Sequence, residues 1–434
     1  MSITNRLLIF FLIFSLITLS CKKDLEDETA PTIIITSPNT NAVFDVGDTM
    51  TIVAHIEDNK LVSSIKVSIL NQDRLEVLTS RNFTGNANTF NLNTKIIIDN
   101  QNIESGLYYI CVVASDGINT KNQFLEIHIT GKPKKLLGIV YISDQGNNVL
   151  HIRNYDTTST DNLMLSISGD YSCSELNSKY QKLFVAGARF GKLNAINLTD
   201  NNIDWSVDNE SNNTQPWFYQ LYFNSNTIYC ATQNGVVSGY SMNGIRTALY
   251  SIGTNWHAKN MLESEGRFFA EVENQTNVYP QLAQFYNSSH VFISQQIMNF
   301  NGVKIFPQAS ESIYVFGNTN NIGNIYLYNF LLQSFSLLHN VDNETIIDVA
   351  MVSSRQFLVL TTNGVYWFNN QQLNSLVQLC IFQGGQQLLY DDLSNSYFVV
   401  KSNQITQYTF PNGLLQNTFP TTETITKAHL YYSR

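Results

Sequence analysis

A chain of 434 residues with a net charge of −9 is too long for one ordinary domain, and too acidic to neutralise a phosphate backbone, which excludes a nucleic-acid partner. Hydrophobic residues make up 43% and charged residues only 14%, well under the usual quarter or so, and 52 asparagines supply much of the polar surface. Asparagine tolerates left-handed backbone and closes its own turns, so this composition suits a β-protein with many short connections.

Asn5-Arg6 precedes an apolar run from Leu7 to Leu19. Such a run rises only about 20 Å as a helix, too short for a bilayer, so residues 1–20 read as a cleavable export signal. Thr18-Leu19-Ser20-Cys21 resembles the lipobox of bacterial lipoproteins, which implies that Cys21 is lipidated and ties the chain to a membrane. Thr18 stands where that motif most often has leucine, and an ordinary signal peptide with a chance cysteine is the alternative. Residues 21–30 include Lys22-Lys23-Asp24-Leu25-Glu26-Asp27-Glu28 and no aromatic residue, the composition of a disordered acidic tether. The stretch also resembles the short acidic export signal of Bacteroidetes-type lipoproteins, which implies anchoring in the outer membrane with display on the cell surface.

From Pro31 onward apolar residues alternate with polar ones. Ile52, Ala54 and Ile56 share one face, as do Ile65, Val67 and Ile69, and then Leu125, Ile127 and Ile129. Period-two alternation marks strands with one buried side, and it predicts strands at 32–36, 49–57, 63–70, 75–83, 88–98, 107–115 and 122–130. Seven short strands over residues 31–131 argue for an immunoglobulin-like sandwich. Ala30-Pro31-Thr32-Ile33, Ser37-Pro38, Gly47-Asp48, Asp58 and the run from Tyr109 to Gly117 resemble the Ig-like domains of bacterial surface proteins, which implies a spacer or adhesion unit. Asp58 and Asp116 fall at turns and read as turn formers rather than calcium ligands, for want of a dense set of oxygen donors. Cys111, Cys230 and Cys380 sit inside apolar runs and, like Cys173, are widely spaced. They read as small buried hydrophobes rather than as bridges.

After the linker Gly131-Lys132-Pro133-Lys134-Lys135, one unit recurs from residue 136 to 434. Its apolar strand aligns at Val140, Leu183, Ile228, Phe268, Ile313, Phe357 and Tyr397, at intervals of 43, 45, 40, 45, 44 and 40 residues. A period near 43 with several short strands per unit predicts a β-propeller. Each later unit is preceded by a further strand-like segment, such as Phe218 to Phe223, and the piece missing before the first unit reappears at Thr426 to Ser433. Pairing that tail with the opening segment would close a ring of seven blades, with six or eight as alternatives. Gly191-Lys192-Leu193-Asn194-Ala195-Ile196-Asn197 and Ile203-Asp204-Trp205-Ser206 resemble the repeat of PQQ-like propellers, and more broadly the WD40-like class. The expected fold class is therefore all-β, an Ig-like β-sandwich followed by a seven-bladed β-propeller. The cofactor-binding constellation of quinoprotein dehydrogenases is not recognisable, so the resemblance implies the fold and no cofactor.

Counting back 11 or 12 residues from each aligned strand gives Tyr171, Trp217, Trp256 and His257, then Asn301, Thr345 and Gln386. Aromatic faces beside amides suit sugar rings or extended peptides, which makes Tyr171, Trp217, Trp256, His257, Asn301 and Gln386 the candidate ligand-binding residues. The competing reading packs these rings between blades as core. No GxSxG elbow, HExxH, phosphate loop or CxxC pair is present, and the seven histidines are scattered, so no catalytic residue and no metal ligand is assigned. Ser63 and Lys66 form an SxxK string, but an alternating strand would point them to opposite faces. Asp391-Asp392 reads as a turn. The sequence thus predicts a monomeric, lipid-anchored binding or adhesion module whose propeller contacts glycan or protein. Two alternatives stand beside it: a propeller lyase or hydrolase acting on polysaccharide, and an assembly scaffold resembling the propeller lipoprotein of the barrel-assembly machinery.

Overall fold

A computed structural model of the chain describes residues 28–434 except 157–159, 213, 275–278, 309–310, 342 and 373–374. The export signal, Cys21 and most of the acidic tether lie outside the described residues. Those residues hold strands and no helix, and they divide into two compact units, one ending at Pro133 and the other beginning at Lys134.

The first unit contains six strands: β1 (Thr32–Ser37), β2 (Ala42–Asp45), β3 (Thr49–Leu70), β4 (Arg81–Ile97), β5 (Gly106–Ser115) and β6 (Thr120–Thr130). The expected pieces at 49–57 and 63–70 are one strand. β3 pairs with β1 along its first half and with β5 along its second, changing partners through register shifts between Glu57 and Ser64. Asp58 makes that passage possible, because its Oδ1 accepts the backbone N–H groups of Lys60 and Leu61 at 2.8 and 2.9 Å. Asp116 does the same at the β5–β6 turn, accepting from Ile118 and Asn119. The segment expected at 75–83 makes only the isolated bridge from Leu70 to Glu76 before β4 begins at Arg81. β2, which period-two reading missed, pairs in parallel with β6. Ile52, Ile56, Val67, Ile69, Ile110 and Val112 share one core, so the alternating apolar residues of both halves of β3 meet.

The second unit is seven four-stranded antiparallel sheets of described residues. Sheets A to F span 173–207, 218–251, 256–297, 301–341, 346–381 and 387–420 in chain order. Sheet G combines 136–168 with the tail strand Lys427–Tyr432, which pairs antiparallel with Leu136–Asp144. The seven aligned apolar positions all fall on the second strand of a sheet. Those strands are buried on both faces, as in Leu183–Ala186, Ile228–Ala231 and Leu358–Leu360, because each sheet is covered by a neighbour on either side. This is why they read as unbroken apolar runs rather than as alternation.

The first strand of each sheet packs beside the first strand of the next, and the tail strand of G packs beside Cys173–Asn177 of A, so the array closes on itself. A polar contact crosses each of the seven junctions near this inner ring. Ser172 donates to the Phe218 carbonyl and the Glu263 N–H to the Tyr222 hydroxyl. Gly302 N–H donates to Glu271 at 2.9 Å, Lys304 to Asp348 at 2.8 Å, and Leu388 N–H to the other Asp348 oxygen at 2.8 Å. Gln387 exchanges two bonds with the Ala428 backbone, and Ser174 meets His429 at 2.8 Å. Fully bonded buried polar groups of this kind fix register without leaving a desolvated group unpaired.

Candidate functional site

A cavity of about 570 Å³ opens where sheets B and C meet. Its wall includes Trp217, just before the first strand of B, Tyr219 within it, and His257 at the start of the first strand of C. Amides and hydroxyls complete it: Asn212, Thr214, Gln215, Gln233, Asn234, Thr254, Asn255 and Asn274. No carboxylate, lysine or arginine is among these lining residues.

The loops that carry them are tied down locally. Asn209 donates to the carbonyls of Gly187, Ala188 and Gly191, which holds it against the turn between the second and third strands of sheet A. Gln233 donates to Gln215 at 2.7 Å across the cavity wall, and the Gln233 N–H bonds the Trp217 carbonyl at 2.8 Å. The 233–235 turn lies so close to the 252–255 connection that a Cβ on Gly235 would stand 1.9 Å from the Gly253 carbonyl oxygen. With φ at +79°, that position accepts glycine and little else. Asn255 takes φ of +68° in the opposing loop, a use of asparagine that the composition foreshadowed.

Tyr219 and His257 stack at 3.8 Å between ring centroids and 25° between planes. Burial lowers the His257 pKa below its usual 6.5, outweighing the pull of Glu273 4.0 Å away, so the imidazole is neutral at pH 7. A neutral ring offers one donor and one acceptor, so like each neighbouring amide it can both give and receive a hydrogen bond. Trp217 rests partly on the core formed by Phe184, Phe218 and Cys230 while facing the cavity, and its indole N–H has no partner among the described residues.

Of the six residues picked from the sequence, Trp217 and His257 come together here. Trp256 packs against the core of Tyr229, Tyr250 and Phe268 instead. Tyr171 joins the core of Val140, Leu183 and Ile196, its hydroxyl 3.0 Å from Ser174, and burial pushes its pKa far up. Asn301 is exposed on the rim of a different cavity, of about 400 Å³, with Lys259, Gly302 and Asn318. Gln386 is exposed, and its backbone N–H pairs with the Val400 carbonyl at 2.8 Å. Counting missed Tyr219, Gln215, Gln233 and Asn274. The polar run leading into Trp217 was the available signal for Gln215.

Elsewhere, Ser63 donates to the Ser115 carbonyl and Lys66 pairs with Glu76, so the SxxK pair is split. Asp391 accepts from Leu393, Ser394 and Tyr432 in a buried turn while Asp392 meets Lys134. The four described cysteines are free thiols, Cys111, Cys173 and Cys230 buried and Cys380 partly so.

Residues 19–130 match the family model described as Domain of unknown function (DUF4625), which covers the first unit only. No curated protein matches the sequence. A quinonprotein alcohol dehydrogenase-like protein from Bacteroides thetaiotaomicron is similar with a TM-score of 0.48 at 10% identity, over 93% of this chain and 100% of its own. Kuenenia stuttgartiensis hydrazine synthase gives 0.48 at 9% identity over 64% and 97%, and BamB from Moraxella catarrhalis 0.43 at 12% over 73% and 96%. Likenesses of this degree assign no activity, ligand or cofactor.

Proposed function

We propose that the chain is a lipid-anchored, surface-displayed carbohydrate-binding protein, in which an Ig-like sandwich spaces a seven-bladed β-propeller from the membrane and the cavity between sheets B and C holds a sugar ring. The observation that carries this reading is the lining of that cavity: three aromatic rings and eight amide or hydroxyl side chains, with no charged group. Sugar hydroxyls each donate and accept, and so do amides, a neutral imidazole and threonine hydroxyls. The Trp217 face supplies the apolar platform on which a ring can lie. A volume of about 570 Å³ is within the range of small-ligand clefts. The usual glycosidase brings two carboxyl groups to the scissile bond, whereas the lining here is amides, hydroxyls and rings, which favours holding a sugar over cleaving it.

A glycan array probed with the full chain, followed by titration of any hit, tests the proposal. Trp217→Phe keeps the packing on Phe218 while shrinking the platform, and together with Gln233→Ala it is expected to weaken binding at least tenfold with the fold intact. A protein that retains no neutral glycan, or binds equally well in both variants, refutes the assignment. Shaving of intact cells with protease tests the surface location, since a periplasmic chain would survive.

A further inference from the structure

We propose that the axial cavity of the ring is a second binding site, for a small organic cation with an apolar body. The cavity, of about 350 Å³, is bounded by the inner strands of sheets A to E. Leu262, Ile305, Phe306 and Met351 give it apolar walls. Glu175 projects into it with no hydrogen-bond or ion-pair partner among the described residues.

The other charges of the cavity are spent. Lys304 donates to Asp348 and to the Val349 carbonyl, both at 2.8 Å. The Glu263 carboxylate accepts from the Tyr229 hydroxyl at 3.1 Å and from Asn287. What is left without a hydrogen bond is one half-buried carboxylate among mostly apolar walls, drawn on only through space by Lys427 and Lys304, and a charge withdrawn from water without a direct partner is costly until an opposite charge reaches it. An incoming ammonium would pair with Glu175 and find amide oxygens on Gln220 and Asn260, with Tyr222 and Phe306 lining the cavity beside its apolar body.

Lys427 of the tail strand and Lys304 of sheet D act on the Glu175 charge, Tyr222 of sheet B feels that charge in turn, and His429 stands on the same tail strand as Lys427. Cys173 lies on its own strand and is a neutral thiol, its pKa pushed up by burial. Burial dominates and lifts the Glu175 pKa to about 7, against the smaller opposing pull of Lys427 and Lys304. A cation selects the ionised form, so binding expels a proton, and the ionised fraction rises about tenfold between pH 6 and pH 8.

Titration calorimetry of the full chain with phenethylamine, against 2-phenylethanol and 3-phenylpropionate as its neutral and anionic counterparts, decides the matter. The amine alone should bind, at one site, with affinity about tenfold higher at pH 8 than at pH 6. Glu175→Gln should cost at least tenfold in affinity and abolish the pH dependence. Met351→Trp, which narrows the chamber and leaves the carboxylate in place, should block binding with an unchanged melting curve. No amine binding at millimolar concentration, preference for the carboxylate, or equal binding by E175Q overturns the proposal.

Discussion

Glu271 is a carboxylate with no exposed surface, held by Asn260 at 2.5 Å and by the Gly302 N–H at 2.9 Å. Burial raises its pKa, and the two bonds oppose that rise. Gly302 is what allows the approach: a Cβ there would stand 2.1 Å from a Glu271 oxygen. Gly302→Ala should therefore expel the carboxylate or spread sheets C and D, at a cost of about 2–4 kcal/mol from overpacking and a lost buried bond. Chemical denaturation measures it, with Gly106→Ala as the control, since a Cβ at Gly106 meets nothing within 4 Å. At this scale the sequence was legible only in part. Glu271 stands out in the strand Phe268–Val272 as one polar residue in an apolar run, but nothing marks Gly302 as its partner. Trp256 and His257 show the same limit: they are neighbours on one strand, so one enters the core and the other the cavity, and counting from an anchor cannot decide which when a one-residue slip exchanges the faces.

Among the elements, the tail strand depends on a latch that joins residues 422–423 to sheet G. Arg153 donates to Asp161 at 3.0 Å and to Glu423 at 2.9 Å, His151 meets Glu423 at 3.0 Å, and the Thr422 N–H reaches Asp161 at 2.8 Å. Burial would raise the Asp161 pKa, yet bonds from Thr422, Tyr141 and Arg153 hold it below its usual 3.8. A carboxyl depressed in the folded state stabilises the fold above its unfolded pKa, and that contribution fades as pH falls through the folded value. Arg153→Met leaves a buried carboxylate short of its cation, for an expected loss of about 3 kcal/mol at pH 7, and it should flatten the acid limb of the stability curve below about pH 4. Deleting the tail from residue 426 onward is the more drastic change. It bares the edge of Leu136–Asp144, whose Val140, Tyr141 and Ile142 are buried, and size-exclusion chromatography should find aggregates rather than monomer. The repeated strands were readable because burial on both faces writes itself as apolar runs. The fusion of 49–57 with 63–70 was not, because Asp58-Asn59-Lys60 has the composition of a turn and is instead an irregular passage within β3.

The closure of the second unit as a whole places two oppositely perturbed groups on adjacent inner strands, Glu175 of sheet A and His429 of the tail. Burial lifts the first to about 7 and, aided by Lys427 and Lys304, depresses the second to about 3. Between about pH 4.5 and 6.5, the unfolded chain carries its proton on His429 and the folded chain carries one on Glu175. Both states then hold the same number of protons from this pair, so the pair gives stability no slope with pH across that window. Each variant should unmask the other partner. In Glu175→Gln only the unfolded chain gains a proton on acidification, so stability should fall by about 1.4 kcal/mol per pH unit from 6.5 to 4.5. In His429→Gln only the folded chain gains one, and stability should rise by a similar amount over the same interval. Urea unfolding at pH 4.5, 5.5 and 6.5 reads both slopes. Parallel curves for the two variants would mean that the seam between the first and last strands does not bring these groups into the low-dielectric interior that their opposite shifts require.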